Sequence, residues 1–229
     1  MRAIIFDLFE TLVTEWGKPK YLTHDVAIDL DVDPLAFRKE WSELGRDRFL
    51  GKYRKAEQAY KAVLDRLDIE RDEHFLAKIA EKRKQCKKIC FGRIQQNIVD
   101  MLSALKYDGY KIGLISNCSP EEIDGLQECA LHNYFDAVVL SCDVGMVKPD
   151  ANIYEQCCSL LEEKAKDCLF VGDGGSDELN GANRIGMTPL RALWFIKFFV
   201  ENFDDDKTYK TFHEPNEMVQ YIRCAYGNA

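Results

Sequence analysis

The chain lacks any apolar run of the roughly 18 to 20 residues that a membrane-spanning helix requires. We expect no signal peptide, because the sequence begins directly with a strand-like segment, and we find no internal repeat or low-complexity linker. Basic residues are also fewer than acidic ones, because the chain has 31 Lys and Arg but 39 Asp and Glu, which gives a net charge of −8. Nucleic acids and anionic membranes both require clustered basic residues, so we expect neither as a main partner.

The cysteines and the overall composition indicate the compartment and the size class. Nine cysteines without a secretion signal indicate free thiols in a reducing environment, so we expect a cytoplasmic protein. The 229 residues are 46% hydrophobic and 31% charged, which is typical of one large globular domain or of a domain with an insert. Nothing in the sequence indicates an oligomeric state.

Strand-like and helix-like segments alternate along most of the chain. The first strand is predicted at residues 3 to 8, and further short strands are predicted to end near residues 116, 140 and 172. Helical segments lie between them, including one predicted at residues 120 to 131. Repeated strand and helix units predict an α/β fold, in which a Rossmann-like, mostly parallel sheet has helices on both faces.

One long segment departs from this alternation. From residue 16 to residue 90 the apolar spacing is helical, with helices predicted at 36–49, 56–67 and 73–89 and no convincing strand. We therefore predict a helical domain at residues 16–90, inserted after the first strand. Residues 1–15 and 91–229 then form the core domain.

Polar residues follow several of the predicted strands. Asp7, Ser116, Lys148 and Asp173 should meet at one sheet edge, because open parallel sheets bind ligands outside the carboxyl ends of their strands. Asp7 and Asp173 can hold a hard cation, and Asp7 can attack phosphorus. Ser116 and Lys148 can bind phosphate oxygens, while Asp177 can receive a metal-bound water or orient Lys148. Each residue alone could be a helix cap or turn residue, so the prediction depends on their combination.

Four segments in chain order resemble the motifs of the haloacid dehalogenase superfamily of hydrolases. They are Asp7–Leu12, Leu114–Asn117, Val147–Asp150 and Val171–Glu178. The resemblance implies a Rossmann-like core with a mobile helical cap of subfamily I at residues 16–90. It also implies a Mg²⁺-dependent phosphatase that acts on a small phosphorylated metabolite through an aspartyl phosphate.

The resemblance assigns a role to each matching position. Asp7 is the nucleophile, Lys148 and Asp177 assist catalysis, and Mg²⁺ is held by Asp7, Asp173 and the main-chain carbonyl of Phe9. The residues implied to bind the substrate are Thr11, Ser116 and Asn117.

Phe9 departs from the family pattern. Phosphatases of the family usually have Asp at this position, where it protonates the leaving group and then activates water. Phe cannot move a proton, and such acid–base help is typically worth about 10² to 10⁴-fold in rate. The neighbouring Glu10 is not an obvious substitute, because a shift of one residue in an extended segment turns the side chain the other way. We therefore expect slow turnover, or activity on esters with good leaving groups.

Three alternatives remain open. Metal-independent L-2-haloacid dehalogenases tolerate an aromatic residue at the Phe9 position and bind the substrate carboxylate and halide with a cap arginine, for which the chain offers Arg38, Arg46 and Arg48. A phosphonatase-like route would use a cap lysine, Lys52 or Lys55. A non-catalytic protein could keep only the metal and phosphate site. The presence of both Asp173 and Asp177 favours the metal-dependent phosphatase. Two carboxylates near Asp7 would repel each other and an anionic substrate unless a cation were bound there.

Overall fold

A computed structural model of the chain describes residues 1–195 and 208–227. The described residues contain a six-stranded sheet in the order β3-β2-β1-β4-β5-β6, and all neighbouring strands are parallel. The strands are β1 (Ala3–Phe6), β2 (Lys111–Ser116), β3 (Ala137–Leu140), β4 (Cys168–Gly172), β5 (Thr188–Ala192) and β6 (Lys210–Phe212). The first strand therefore lies in the middle of the sheet, between β2 and β4.

Helices connect and cover these strands. They are α1 (Thr23–Asp29), α2 (Pro34–Glu43), α3 (Gly45–Phe49), α4 (Ala56–Arg66), α5 (Glu73–Lys88), α6 (Gln96–Tyr107), α7 (Ser141–Val144), α8 (Ala151–Leu161), α9 (Glu178–Arg184) and α10 (Pro215–Tyr226). Apolar residues of α6 and α10 pack on one face of the sheet, and those of α8 and α9 pack on the other. All four residues of β1 are buried, as expected for a strand covered on both faces. The α/β fold predicted from the sequence is confirmed.

Helices α1 to α5 form the insert between β1 and β2. They have their own apolar core, in which the aromatic rings of Phe37, Trp41 and Tyr60 contact one another. The helix predicted at 36–49 is two helices, because the chain breaks between α2 and α3 at Leu44. The domain boundaries at residues 16 and 90 stay a prediction.

The helix predicted at residues 120–131 is wrong. Only Pro120–Glu122 forms one short 3₁₀ turn, and the chain continues as irregular turns. Its apolar residues pack into the core against the sheet, where a Cβ atom on Gly125 would lie only 2.8 Å from the ring of Phe91. Tertiary packing therefore overrides the helical spacing of the apolar residues.

Two further observations bear on the predictions from composition. Within residues 1–195 and 208–227, no helix is both long enough and apolar enough to cross a membrane. All nine cysteines are free thiols. The cytoplasmic location stays a prediction.

Candidate active site

Three neighbouring strands place acidic and polar side chains at one edge of the sheet. Asp7 directly follows β1, Ser116 ends β2, and Asp173 directly follows β4. The backbone N–H of Asp7 donates to the carbonyl of Val171 at 2.8 Å, so the β1–β4 pairing continues to Asp7. Because β1 lies between β2 and β4, the three strand ends are adjacent in space.

Lys148 is buried at the centre of this edge, with 4% of its surface exposed. Its Nζ donates to Asp7 Oδ1 and, at 2.5 Å, to Glu178 Oε2. Burial disfavours the ammonium, but Asp7 and Glu178 outweigh it and the pKa of Lys148 is raised. Asn117 holds the Lys148 backbone on both sides, accepting from its N–H at 2.8 Å and donating to its carbonyl at 2.9 Å. The Asn117 amide thus positions Lys148, whereas the sequence assigned it to substrate binding.

Glu178 takes the place that the sequence assigned to Asp177. The Asp177 carboxylate is exposed and accepts hydrogen bonds from Asn180 at 2.5 Å and Arg184 at 3.2 Å, not from Lys148. The reason is helical periodicity, since positions 177, 180 and 184 lie on the outer face of α9. Glu178 begins the opposite face, which continues with the buried Leu179 and Ala182. That apolar spacing is the signal by which the sequence could have identified Glu178.

The turn after β4 directs the Glu178 carboxylate back towards the strand. Gly174, Ser176 and Asp177 all have left-handed backbone angles, with φ values of 103°, 55° and 55°. The Gly174 N–H then donates to Glu178 Oε1 at 3.2 Å. A Cβ atom on Gly172 would lie 2.0 Å from the same oxygen, so only glycine leaves room for the carboxylate.

Asp7, Asp173 and Glu178 together form an acidic cluster, in which one oxygen of each carboxylate lies within 4.8 Å of the others. Burial, and then Asp7, raises the pKa of Asp173 and raises that of Glu178 to about 8. Asp7 and Glu178 share the ammonium of Lys148, and Arg191 Nε donates to the main-chain carbonyl of Asp173 at 3.2 Å. The three ionised carboxylates still repel one another, and a bound cation would reduce that repulsion. Clustered carboxylate oxygens are the ligands that Mg²⁺ prefers, and these residues fit a divalent cation.

Two hydroxyl groups lie beside this cluster. Ser116 Oγ is fully buried and has no hydrogen-bond partner among the described residues, as expected of a group that donates to a bound oxyanion. Thr11 Oγ1 donates to Asp7 Oδ2 at 3.2 Å, and its carbonyl accepts from Trp194 Nε1 at 2.8 Å. Thr11 therefore holds Asp7, although the sequence assigned it to the substrate.

The side chains of Phe9 and Glu10 contact residues outside the acidic cluster. The half-buried ring of Phe9 meets the ring of Phe91 edge-on, with centroids 6.3 Å apart. Glu10 has φ of 57°, and its carboxylate accepts from Thr14 Oγ1 at 2.5 Å and from the Glu15 N–H at 3.2 Å. Burial raises the pKa of Glu10 to about 7. The role of the Phe9 carbonyl as a metal ligand stays a prediction.

Comparison with known proteins agrees with this fold. The model of the haloacid dehalogenase-like hydrolases matches residues 1–186. The chain belongs to this family of hydrolases, which confirms the resemblance predicted from the sequence.

Two named relatives and two solved structures show how far the similarity extends. The chain is 26% identical to a glyceraldehyde 3-phosphate phosphatase of Methanothermobacter thermautotrophicus over 194 residues, which are 83% of this chain and 84% of that protein. It is 31% identical to the pyrophosphatase PpaX of Bacillus cereus over 103 residues, but this match spans only 44% of the chain and 47% of PpaX.

The solved structures are more distant in sequence and show the fold alone. A 2-haloacid dehalogenase from Pseudomonas syringae superimposes with a TM-score of 0.68 at 19% identity, covering 98% of this chain and 99% of that one. A family enzyme from Bacteroides thetaiotaomicron in complex with magnesium and inorganic phosphate superimposes with a TM-score of 0.60 at 12% identity, covering 92% and 100%.

Proposed function

We propose that this protein is a Mg²⁺-dependent phosphatase that transfers the phosphoryl group of a small phosphorylated metabolite to Asp7 and then to water. The observation that carries the proposal is the acidic cluster around Lys148, with the unpartnered hydroxyl of Ser116 beside it. The relatives whose names denote a phosphatase and a pyrophosphatase support the same chemistry.

In the first step an oxygen of Asp7 forms a bond to phosphorus while the ester P–O bond breaks. Lys148 and Thr11 hold the two oxygens of Asp7 in place, and Ser116 is available to donate to a phosphoryl oxygen. When bound among Asp7, Asp173 and Glu178, Mg²⁺ supplies positive charge that offsets the repulsion between the carboxylates and the phosphate.

In the second step water attacks the phosphorus of the aspartyl phosphate, which releases inorganic phosphate and restores the Asp7 carboxylate. The leaving oxygen takes its proton from solvent, and the attacking water returns one to solvent, because Phe9 has no group that can carry it. This is why we expect aryl and acyl phosphates, whose leaving groups need little protonation, to react faster than alkyl phosphates.

The same cluster argues against a metal-independent dehalogenase. A haloacid substrate is a carboxylate, and three clustered carboxylates repel it unless a cation is present. One ammonium, that of Lys148, is already shared between Asp7 and Glu178. The phosphatase is therefore the better match to the charges of the site.

The test is phosphate release from 4-nitrophenyl phosphate and acetyl phosphate by the purified chain, with Mg²⁺ and with a chelator. We expect activity that requires Mg²⁺, that is lost in Asp7→Asn, and that persists in the control Asp65→Asn on the exposed surface of α4. Activity that survives Asp7→Asn or chelation would contradict the proposal. Chloride release from 2-chloropropionate without metal would favour the dehalogenase, and Mg²⁺ binding without turnover would favour a non-catalytic role.

A further inference from the structure

The segment after Lys148 leads into α8, where one buried tyrosine takes no part in the chemistry described above. Tyr154 is fully buried, and its ring packs edge-on against that of Phe170 on β4, with centroids 5.4 Å apart. The Nζ of Lys148 lies 5.8 Å from the centroid of the same Phe170 ring. Tyr154 is therefore separated from the Lys148 ammonium by a single aromatic ring.

The hydroxyl of Tyr154 reaches the first residue of α9. Its Oη donates to the main-chain carbonyl of Glu178 at 2.9 Å. Burial raises the pKa of Tyr154, so the hydroxyl keeps its proton and remains a donor. In an α-helix such a carbonyl already accepts from the N–H four residues later, so α9 does not need the tyrosine to complete its own hydrogen bonds. The contact therefore holds one position of α9 against α8.

A glycine one turn further along α9 makes room for this contact. A Cβ atom on Gly181 would lie 2.5 Å from Tyr154 Oη and 2.9 Å from the Cβ atom of Pro149. Glycine destabilises the interior of a helix relative to alanine, so this close approach is made at the expense of helix stability. Positions 178 and 181 lie on the same face of α9, since residues three apart are neighbours on a helix. Tyr154 and Gly181 together fix which face of α9 points towards Pro149.

On its exposed side, α9 is joined to the same segment by Arg184. This side chain donates to the Pro149 carbonyl at 3.2 Å and to the Asp177 carboxylate at 3.2 Å. Within the described residues, α9 thus contacts the segment that carries Lys148 from two sides. The placement of Glu178 beside Lys148 depends on these contacts as well as on the ion pair between the two side chains.

We propose that Tyr154 is a positioning residue, which holds the main chain at Glu178 so that its carboxylate stays beside Lys148 and faces the cation site. Of the two adjacent acidic residues at the start of α9, this contact selects Glu178 and leaves Asp177 outside. The inference rests on the proposed function for the cation, because the acidic cluster that contains Glu178 is where Mg²⁺ would bind. Removing a group that orients a metal ligand lowers the affinity for the metal, even though that group does not touch the metal itself.

The first test is calorimetric titration of Mg²⁺ into the parent and Tyr154→Phe chains, since this substitution removes only the hydroxyl. We expect Mg²⁺ to bind about ten-fold more weakly to Tyr154→Phe, the lower end of the range for groups that orient a metal ligand. The control is Tyr134→Phe before the start of β3, which removes a hydroxyl bonded to Ser103 Oγ at 2.8 Å and should leave Mg²⁺ binding unchanged. Equal Mg²⁺ affinity of the parent and Tyr154→Phe chains would overturn the inference.

The second test separates a role through Glu178 from a general effect on the fold. In a Glu178→Gln background, Tyr154→Phe should change the Mg²⁺ affinity by less than about two-fold, because the carboxylate that it positions is already gone. An equal loss of affinity in both backgrounds would show that Tyr154 is structural and would overturn the inference. Thermal unfolding with chelator provides the comparison, since Tyr154→Phe and Tyr134→Phe should each lower the melting temperature by about 1 to 6 °C, the effect of one hydrogen bond.

The two proposals fail separately. If aryl phosphates are hydrolysed with Mg²⁺ but Tyr154→Phe binds Mg²⁺ like the parent, Tyr154 is structural and the phosphatase stands. If Mg²⁺ binding depends on Tyr154 through Glu178 but no ester is hydrolysed, the positioning role stands and the phosphatase proposal falls. A parent chain that does not bind Mg²⁺ would contradict both.

Discussion

Replacing Lys148 by Met tests the electrostatic account of the active site. The substitution keeps a long apolar side chain and removes the ammonium that Asp7 and Glu178 share. In the absence of Mg²⁺ it leaves Asp7 and Glu178 without their ion-pair partner, next to the third carboxylate of Asp173. The variant chain should therefore be much less stable than the parent chain.

The expected loss of stability follows from the burial of Lys148 and its two carboxylate partners. Removing one partner of a buried ion pair costs about 3 to 5 kcal/mol, and in a chain of this size each kcal/mol shifts the melting temperature by about 2 to 4 °C. We expect a decrease of about 6 to 20 °C at pH 7. Because the folded pKa of Lys148 is raised, its contribution is fully present below the unfolded pKa of about 10.4. It is lost only as the pH rises through the folded value, so neutral pH measures all of it.

The assay is thermal unfolding of the parent and Lys148→Met chains with chelator and with Mg²⁺. A divalent cation should restore part of the loss, since it supplies the missing positive charge. The control is Lys61→Met, which removes an exposed lysine paired with Asp65 and should cost less than about 1 kcal/mol. An unchanged melting temperature in Lys148→Met, or an equal decrease in Lys61→Met, would refute the reasoning.

Three further predictions concern other parts of the molecule. Glu178→Gln should weaken Mg²⁺ binding about ten-fold or more in calorimetric titration, whereas the exposed Asp177→Asn should not, and equal losses would contradict the assignment. Phe9→Asp should raise phosphate release from glycerol 3-phosphate more than from 4-nitrophenyl phosphate, by up to about 10² to 10⁴-fold, and an equal rise on both esters would argue against a missing acid. Burial disfavours the ionised carboxylate of Glu122, but neighbouring cations outweigh burial and lower its pKa to about 2. The ionised carboxylate therefore stabilises the folded chain above about pH 4.3, and this contribution is lost as the pH falls towards 2. Glu122→Gln should therefore cost about 3 kcal/mol at pH 7 in denaturant unfolding, and a difference that stays constant down to pH 2 would rule this out.

The order of elements and the position of the active-site edge could be predicted from local patterns. Short apolar runs separated by amphipathic segments favour a parallel sheet, and the ends of its strands meet at one edge. Asp7 and Asp173 each follow a strand directly and Ser116 ends one, so their proximity depended only on that topology. The family resemblance could be read from the same four segments, because each motif is contiguous in the chain.

Neighbouring residues at a turn were harder to assign. Asp177 and Glu178 are adjacent acidic residues, and the choice between them depends on which face of α9 packs against the sheet. The roles of Thr11 and Asn117 depend in the same way on hydrogen bonds to Asp7 and Lys148. The helix predicted at residues 120–131 failed because its apolar residues pack into the core against the sheet as irregular turns, which the spacing alone does not reveal.

The amino-acid order alone determined where the strands and most of the helices form and which carboxylates follow the strands, since both depend on residues close together in the chain. Only the tertiary structure decided that Lys148 pairs with Glu178 and that the Tyr154 hydroxyl reaches the Glu178 carbonyl. The physical reason is that burial and the loss of water set the strength of these interactions. Both depend on segments that lie far apart in the chain and meet only after folding.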